Sequence, residues 1–157
     1  MITYRKAAAG DIRPAFELAL RVFMEYEAPA CGPEALERFR RDMARSLSQP
    51  EVSVTGRGLM IVSLDGERVV GMVEAGEDGH VRHIYIDGAY RCRGMATMLM
   101  NHVVNEFKHR GFDKITLDAS PYGLPFYMNY GFTAAGDEEN TDGFVTVPMV
   151  YEFPGKR

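Results

Sequence analysis

The segment Ile84-Tyr85-Ile86-Asp87-Gly88-Ala89-Tyr90-Arg91-Cys92-Arg93-Gly94-Met95-Ala96-Thr97 combines residue types that could bind an anion. An apolar run enters a loop with two arginines, then Gly94, then small residues at the start of a helix-patterned stretch. Backbone N–H groups at a helix start lack partners, and the helix dipole favours negative charge there. Gly94 and Ala96 keep side chains away from that backbone, and Arg91 and Arg93 add positive charge. The chemistry implied is a diphosphate cradle. The spacing is neither G-x-G-x-x-G nor G-x-x-x-x-G-K-[ST], so neither a Rossmann nor a Walker site is indicated. Taken alone, the segment is equally a strand-to-helix turn with exposed arginines.

The elements that would position this loop can be read from periodicity. Ile2-Thr3-Tyr4 reads as a first strand. Asp11 caps a helix that Pro14 enters near its start, with Phe16, Ala19, Leu20, Phe23 and Tyr26 at helical spacing. The run 28–33 breaks it. A second helix places Leu36, Phe39, Met43 and Leu47 on one stripe and Arg38, Arg40, Arg41 and Arg45 on the other, a solvated face. Val52 and Val54 could form a short strand. Leu59 to Leu64, Arg68 to Ala75 and His80 to Ile86 form an antiparallel meander, turned at Asp65-Gly66 and Glu77-Asp78-Gly79. Met95 to Arg110 is a helix with Met95, Met98, Leu99, Val103 and Phe107 on one face, ended by Gly111. Asp113 to Ala119 is a further strand. Ser120-Pro121 opens a short helix that stops at Gly131. Phe144 to Phe153 is the last strand, and Pro148 favours an edge or a bulge.

Composition bounds the function. The chain has 157 residues, 46% hydrophobic and 25% charged. That is one globular domain with room for a continuous core, and neither a disordered chain nor a disulfide scaffold. Its 18 Lys and Arg against 22 Asp and Glu give a formal charge of -4. No nucleic-acid partner is expected from such a field. The apolar runs are too short for a membrane span, which needs about 20 residues. The N-terminus shows no signal-peptide pattern. Cys31 and Cys92 lie outside any CxxC or His-rich context, so we expect free thiols, no metal and a cytoplasmic location.

Two motifs in order resemble the GCN5-related N-acetyltransferase (GNAT) family. The first is Arg91-Cys92-Arg93-Gly94-Met95-Ala96, similar to that family's Gln/Arg-x-x-Gly-x-Gly/Ala loop between a strand and a long helix. The second is Phe126-Tyr127-Met128-Asn129-Tyr130-Gly131-Phe132, similar to a short helix ending in Phe-Tyr-x-x-x-Gly-Phe. The resemblance implies an α/β fold with a mixed, mostly antiparallel sheet, helices on both faces and a V-shaped central cleft, all in one domain over residues 1–157. It implies acetyl-CoA as co-substrate. Ile84, Tyr85 and Ile86 would lie along its pantetheine arm. Arg91, Cys92, Arg93, Gly94, Met95, Ala96 and Thr97 would hold the pyrophosphate, and Tyr127 would protonate the departing thiolate. Ser120 stands where the family often has an Asn that contacts CoA; a serine there can still donate a hydrogen bond to the cofactor, though with a shorter side chain.

The implied reaction is acetyl transfer to a primary amine by direct attack in a ternary complex. It needs an oxyanion donor, a route for the ammonium proton and an acid for sulfur. A main-chain N–H near Tyr85 suits the first. For the base, His80, Glu74 and a water relay stay open. His80 is expected on one strand face with Arg82, Ile84 and Ile86, and His83 on the other. Glu25, Tyr26 and Glu27, with Asp137, Glu138 and Glu139, are acceptor-side candidates, although charge at helix ends and in loops is ordinarily solvated. A non-catalytic acyl-CoA sensor, or a transferase using another acyl-CoA, is the alternative. The sequence leaves room for a homodimer.

Overall fold

The structure, a computed structural model, describes residues 1–48 and 58–155; Val52 and Val54 lie outside the described residues. The elements run β1 (Ile2–Lys6), α1 (Ile12–Tyr26), α2 (Pro33–Ser48), β2 (Leu59–Asp65), β3 (Arg68–Ala75), β4 (His80–Ile86), α3 (Met95–His109), β5 (Lys114–Ala119), α4 (Leu124–Tyr130), β6 (Thr133–Ala134), β7 (Glu139–Thr141) and β8 (Phe144–Glu152). The strands form one sheet in the order β1-β2-β3-β4-β5-β8-β6, with β7 also on β8. All pairings are antiparallel except β4 with β5.

Alternation along the strands divides the core between two faces. Leu59, Ile61, Val73, Val81, Ile115 and Leu117 pack with Leu99, Val103 and Phe107 of α3. Met60, Val62, Leu64 and Met72 pack with Phe16, Phe23, Phe39 and Met43 of α1 and α2. Phe23 and Phe39 stack at 3.7 Å and join the two helices. The expected mixed, mostly antiparallel sheet with helices on both faces is therefore present. Among the described residues no helix is long and apolar enough to cross a membrane.

The feature that makes the site is the seam between β4 and β5. Only His80 with Thr116 and Val81 with Leu117 pair across it. Beyond Val81, β4 remains on β3, where Met72 faces Tyr85 and Gly71 faces Ile86. Over the same length β5 remains on β8. The two strands thus part into a V.

Several local expectations need correction. Asp11 stands before α1, but its carboxylate turns back to accept from the Ala8 N–H at 2.8 Å and pairs with Arg5. Met98 is 43% exposed and lies off the buried stripe of α3. The short helix begins at Leu124, not at Ser120; Ser120 accepts from the Gly123 N–H at 3.2 Å and closes a turn ahead of it. β8 is not an edge strand. Pro148 faces Asp118 of β5, and its carbonyl accepts from Ala135. Proline is tolerated because it falls where the outer partner changes, from β7 at residues 144–146 to β6 at 149–150.

Candidate active site

The V opens into a cleft of about 510 Å³. One wall is the C-terminal half of β4, Ile84-Tyr85-Ile86; the other is Ser120, Tyr122, Gly123, Phe126 and Tyr127 from the end of β5 and α4. Arg91, Cys92, Gly94, Met95, Ala96 and Thr97 close one end, and Val22 and Glu27 of α1 and its C-terminus reach in from the opposite face. The backbone of Ile84 to Ile86 has no β5 partner, so its outward N–H and C=O groups form an open strand edge.

The loop before α3 is shaped by two left-handed residues, Cys92 at φ 62° and Gly94 at φ 77°. Such turns direct successive N–H groups to one side, and the first amides of α3 add theirs. Gly94 caps α3, and nothing lies within 4 Å of where a Cβ would stand. An anion can therefore approach the loop backbone. This backbone, its arginines and the open β4 edge fit an elongated diphosphate ligand such as coenzyme A. Met95 turns its own side chain inward, with sulfur 3.0 Å from the Ser63 hydroxyl. Arg93 is absent from the cleft lining and stacks its guanidinium 5.3 Å over the Tyr90 ring.

Tyr127 is half-buried on the α4 wall, and burial holds its phenol above the ordinary value. Tyr85 is raised well above 10.0, first by burial and then by the adjacent Glu27 carboxylate. Glu27 lies beside the Ser120 and Tyr85 hydroxyls, which favour its ionised form, yet burial outweighs them and raises its carboxyl. Glu27 thus links a residue of β4 to one just past β5, across the V.

The base candidates named from sequence lie elsewhere. His80 sits at the closed end of the seam, its Nδ1 2.7 Å from the Thr116 hydroxyl and its Nε2 3.3 Å from Asp118. Glu74 is on β3 beside His83, with 3.7 Å between carboxylate and Nε2. Neither lines the cleft. The expected alternation also breaks. The β3–β4 register shifts between Glu74 and Ala75, leaving Arg82 opposite no β3 residue. His80 therefore shares a face with His83 and Tyr85, while Val81, Ile84 and Ile86 pack toward α3. His83 faces away from Ile84 as expected; burial, with the Arg82 charge, lowers it to about 4.

Sequence reasoning placed Glu27 only among acceptor-side acids and gave no site role to Tyr90, Tyr122 or Phe126, which line the cleft. The usable signal for Glu27 was its position at the break of an amphipathic helix that must cover the sheet.

The family model for the acetyltransferase (GNAT) domain matches residues 27–153. A glucosamine 6-phosphate N-acetyltransferase of Trypanosoma brucei brucei is 34% identical over 56 residues, covering 36% of this chain and 38% of that protein. A probable glucosamine 6-phosphate N-acetyltransferase 2 of Oryza sativa subsp. japonica is 29% identical over 94 residues, 60% of this chain and 54% of that protein. The matched part thus spans about half or less of these relatives. Among solved structures, the PaiA N-acetyltransferase of Thermoplasma acidophilum, in complex with coenzyme A, has a TM-score of 0.79 at 19% identity, covering 98% of this chain and 99% of that one. With the family model covering most of the chain, and the parted strands and the open loop before α3 in place, the protein belongs to the GNAT acetyltransferase family.

Proposed function

We propose that the protein is an N-acetyltransferase that moves an acetyl group from acetyl-CoA to a primary amine within a ternary complex. The observation that carries this is the convergence of the Arg91–Thr97 loop, the open edge of β4, Tyr127 and Glu27 on one cleft. The loop amides and Arg91 would hold the diphosphate, and the main chain of Ile84 to Ile86 the pantetheine arm. Acetyl-CoA supplies the activated acyl group.

Glu27 takes the base role in place of His80 and Glu74. A carboxyl raised by burial is a stronger base than an exposed one, and ionised it attracts the acceptor's ammonium. It accepts one ammonium proton before attack, which frees the lone pair that bonds to the acetyl carbon; nitrogen's second proton leaves as the tetrahedral intermediate collapses and ends on the departing sulfur. A main-chain N–H near Tyr85 would face the oxygen as charge builds on it. Tyr127 donates to sulfur as the C–S bond breaks. Its raised phenol stays protonated near neutrality and is a weaker acid than a thiol of about 8.5. Its contribution is therefore a hydrogen bond to the thiolate as charge develops, while the proton that sulfur finally holds comes from the acylated nitrogen.

We assign this activity to one domain over residues 1–157. A reducing, cytoplasmic setting is in keeping with the free thiols of Cys31 and Cys92. The test is free-thiol release from acetyl-CoA across a panel of amines. Acetyl-CoA binding without release for any amine would favour the sensor reading, and faster release from a longer acyl-CoA would move the donor assignment.

A further inference from the structure

One corner of the cleft already holds a cation, and that cation belongs to the diphosphate loop. The Arg91 guanidinium carbon stands 4.4 Å from the Tyr26 ring centroid and 5.3 Å from that of Tyr122. The two rings stack at 5.4 Å and 21°, although one ends α1 and the other follows β5. Tyr122 is 44% exposed at the cleft mouth. Tyr26 is fixed against the loop: a Cβ at Gly88 would stand 2.6 Å from its hydroxyl. The next residue after Tyr26 is Glu27, inside the cleft.

We propose that this corner is a second recognition point for the acceptor: Tyr26 and Tyr122 take a distal cationic group while Glu27 takes the reacting ammonium. The acceptor class is then a small amine with a second cationic nitrogen, a diamine or a guanidinoalkylamine. This deepens, and rests on, the acetyltransferase reading. Arg91 holds the aromatic faces in the free protein. A diphosphate offers its guanidinium stronger, charge-assisted hydrogen bonds than an exposed ring does. Donor binding therefore draws Arg91 to the loop and vacates the rings beside Glu27. A desolvated cation over such a ring gains up to about thirtyfold in affinity. A phosphorylated amino sugar would need a cation facing its phosphate. The corner instead offers a carboxylate and phenols, and the nearby Arg21 and Arg68 are both engaged by Asp87 at 2.8 and 3.2 Å.

The test compares 1,4-diaminobutane, 4-guanidinobutylamine, butylamine and glucosamine 6-phosphate by thiol release, with acetyl-CoA affinity read by calorimetry. We expect kcat/KM for the two dications to exceed that for butylamine by about tenfold or more. In Tyr26→Leu, and separately in the more exposed Tyr122→Leu, that ratio should fall toward one, with acetyl-CoA affinity held or improved. Equal rates for butylamine and the dications in the wild-type protein would overturn the proposal. So would tyrosine variants that lose acetyl-CoA affinity but keep the ratio, since the rings would then only position Arg91. A preference for glucosamine 6-phosphate would overturn it and leave the acetyltransferase reading standing. No acetyl-CoA binding, with no thiol release from any amine, would overturn both.

Discussion

The two ends of β4 differ in what holds them, and that difference separates side chains tied to a neighbouring strand from those that line the cleft. At the N-terminal end, His80 and Val81 pair with β5, and the His80 ring is tied to Thr116 and Asp118. At the C-terminal end the strand has parted from β5, and Tyr85 meets Glu27, Ser120 and Tyr127 across open space. A carboxylate stands at both ends of this region, Asp118 at the joined end and Glu27 at the open one. Residue type is therefore a poor guide to role here, and the neighbouring backbone is a better one. Where strands are joined, polar side chains satisfy one another; where they part, polar groups are left for a ligand.

The largest expected effect would come from closing the open end. Gly94→Glu puts a carboxylate and a Cβ where an anion must approach, at a left-handed backbone position. Two like charges at 4 Å repel by about 4 kcal/mol at an effective dielectric of 20, about 10³-fold in affinity. Calorimetry on the folded variant should show acetyl-CoA binding lost on that scale; unchanged affinity would remove the cradle.

Next come the two cleft groups. Tyr127→Phe should lower both kcat and kcat/KM by roughly 10²-fold with acetyl-CoA affinity and melting temperature little changed. Lower stability with normal turnover per folded molecule would make Tyr127 a packing residue. Glu27→Gln should cost kcat/KM about 10²-fold. Because burial raises the Glu27 carboxyl, the acidic limb of the wild-type profile should lie above the ordinary 4.5. That limb should disappear in Glu27→Gln. A limb that stays in place assigns it to another group.

A smaller effect concerns stability. The His83 imidazole is held near 4 in the folded protein against 6.5 when free. Its protonation is disfavoured by folding, so its contribution is complete above about 6.5 and is lost as pH falls toward 4. The loss is up to about 1.4 kcal/mol per pH unit in that window. Melting temperature should fall accordingly, and His83→Gln should flatten the slope. The smallest effect on chemistry is expected at the joined end of β4. His80→Ala should leave turnover within about twofold while lowering stability by about 1 kcal/mol, the scale of a lost hydrogen bond. A large fall in kcat there would return His80 to the base role.

Much of the fold was legible because its signals are local. The turn at Asp65-Gly66, the stripe from Met95 to Phe107 and the stop at Gly131 each depend on neighbours in sequence. The loop from Arg91 to Thr97 was legible for the same reason. The base was not. Its position depends on the extra residue in β4 at Arg82, which turns His80 away from the face of Ile84, and on α1 ending over the gap between β4 and β5. Tyr26, Arg91 and Tyr122 come from three distant segments, and no spacing in the chain relates them. Pro148 was misread because a proline signals a missing ladder bond, which an interior strand can also absorb at a change of partner.

The short seam between β4 and β5 also bears on how the chain folds. β1 to β4 pair in sequence order, whereas β5, β6 and β7 all pair with β8. The two groups meet in a parallel register that requires the crossover through α3, and only two residue pairs reward that closure in the sheet. Closing a long connection costs chain entropy before its contacts form. The seam should therefore form late, after each group has its own ladder. Substitutions at His80 or Thr116 would then speed unfolding and leave the refolding rate nearly unchanged. The gap that admits a ligand is thus expected to be among the last places where the sheet is assembled.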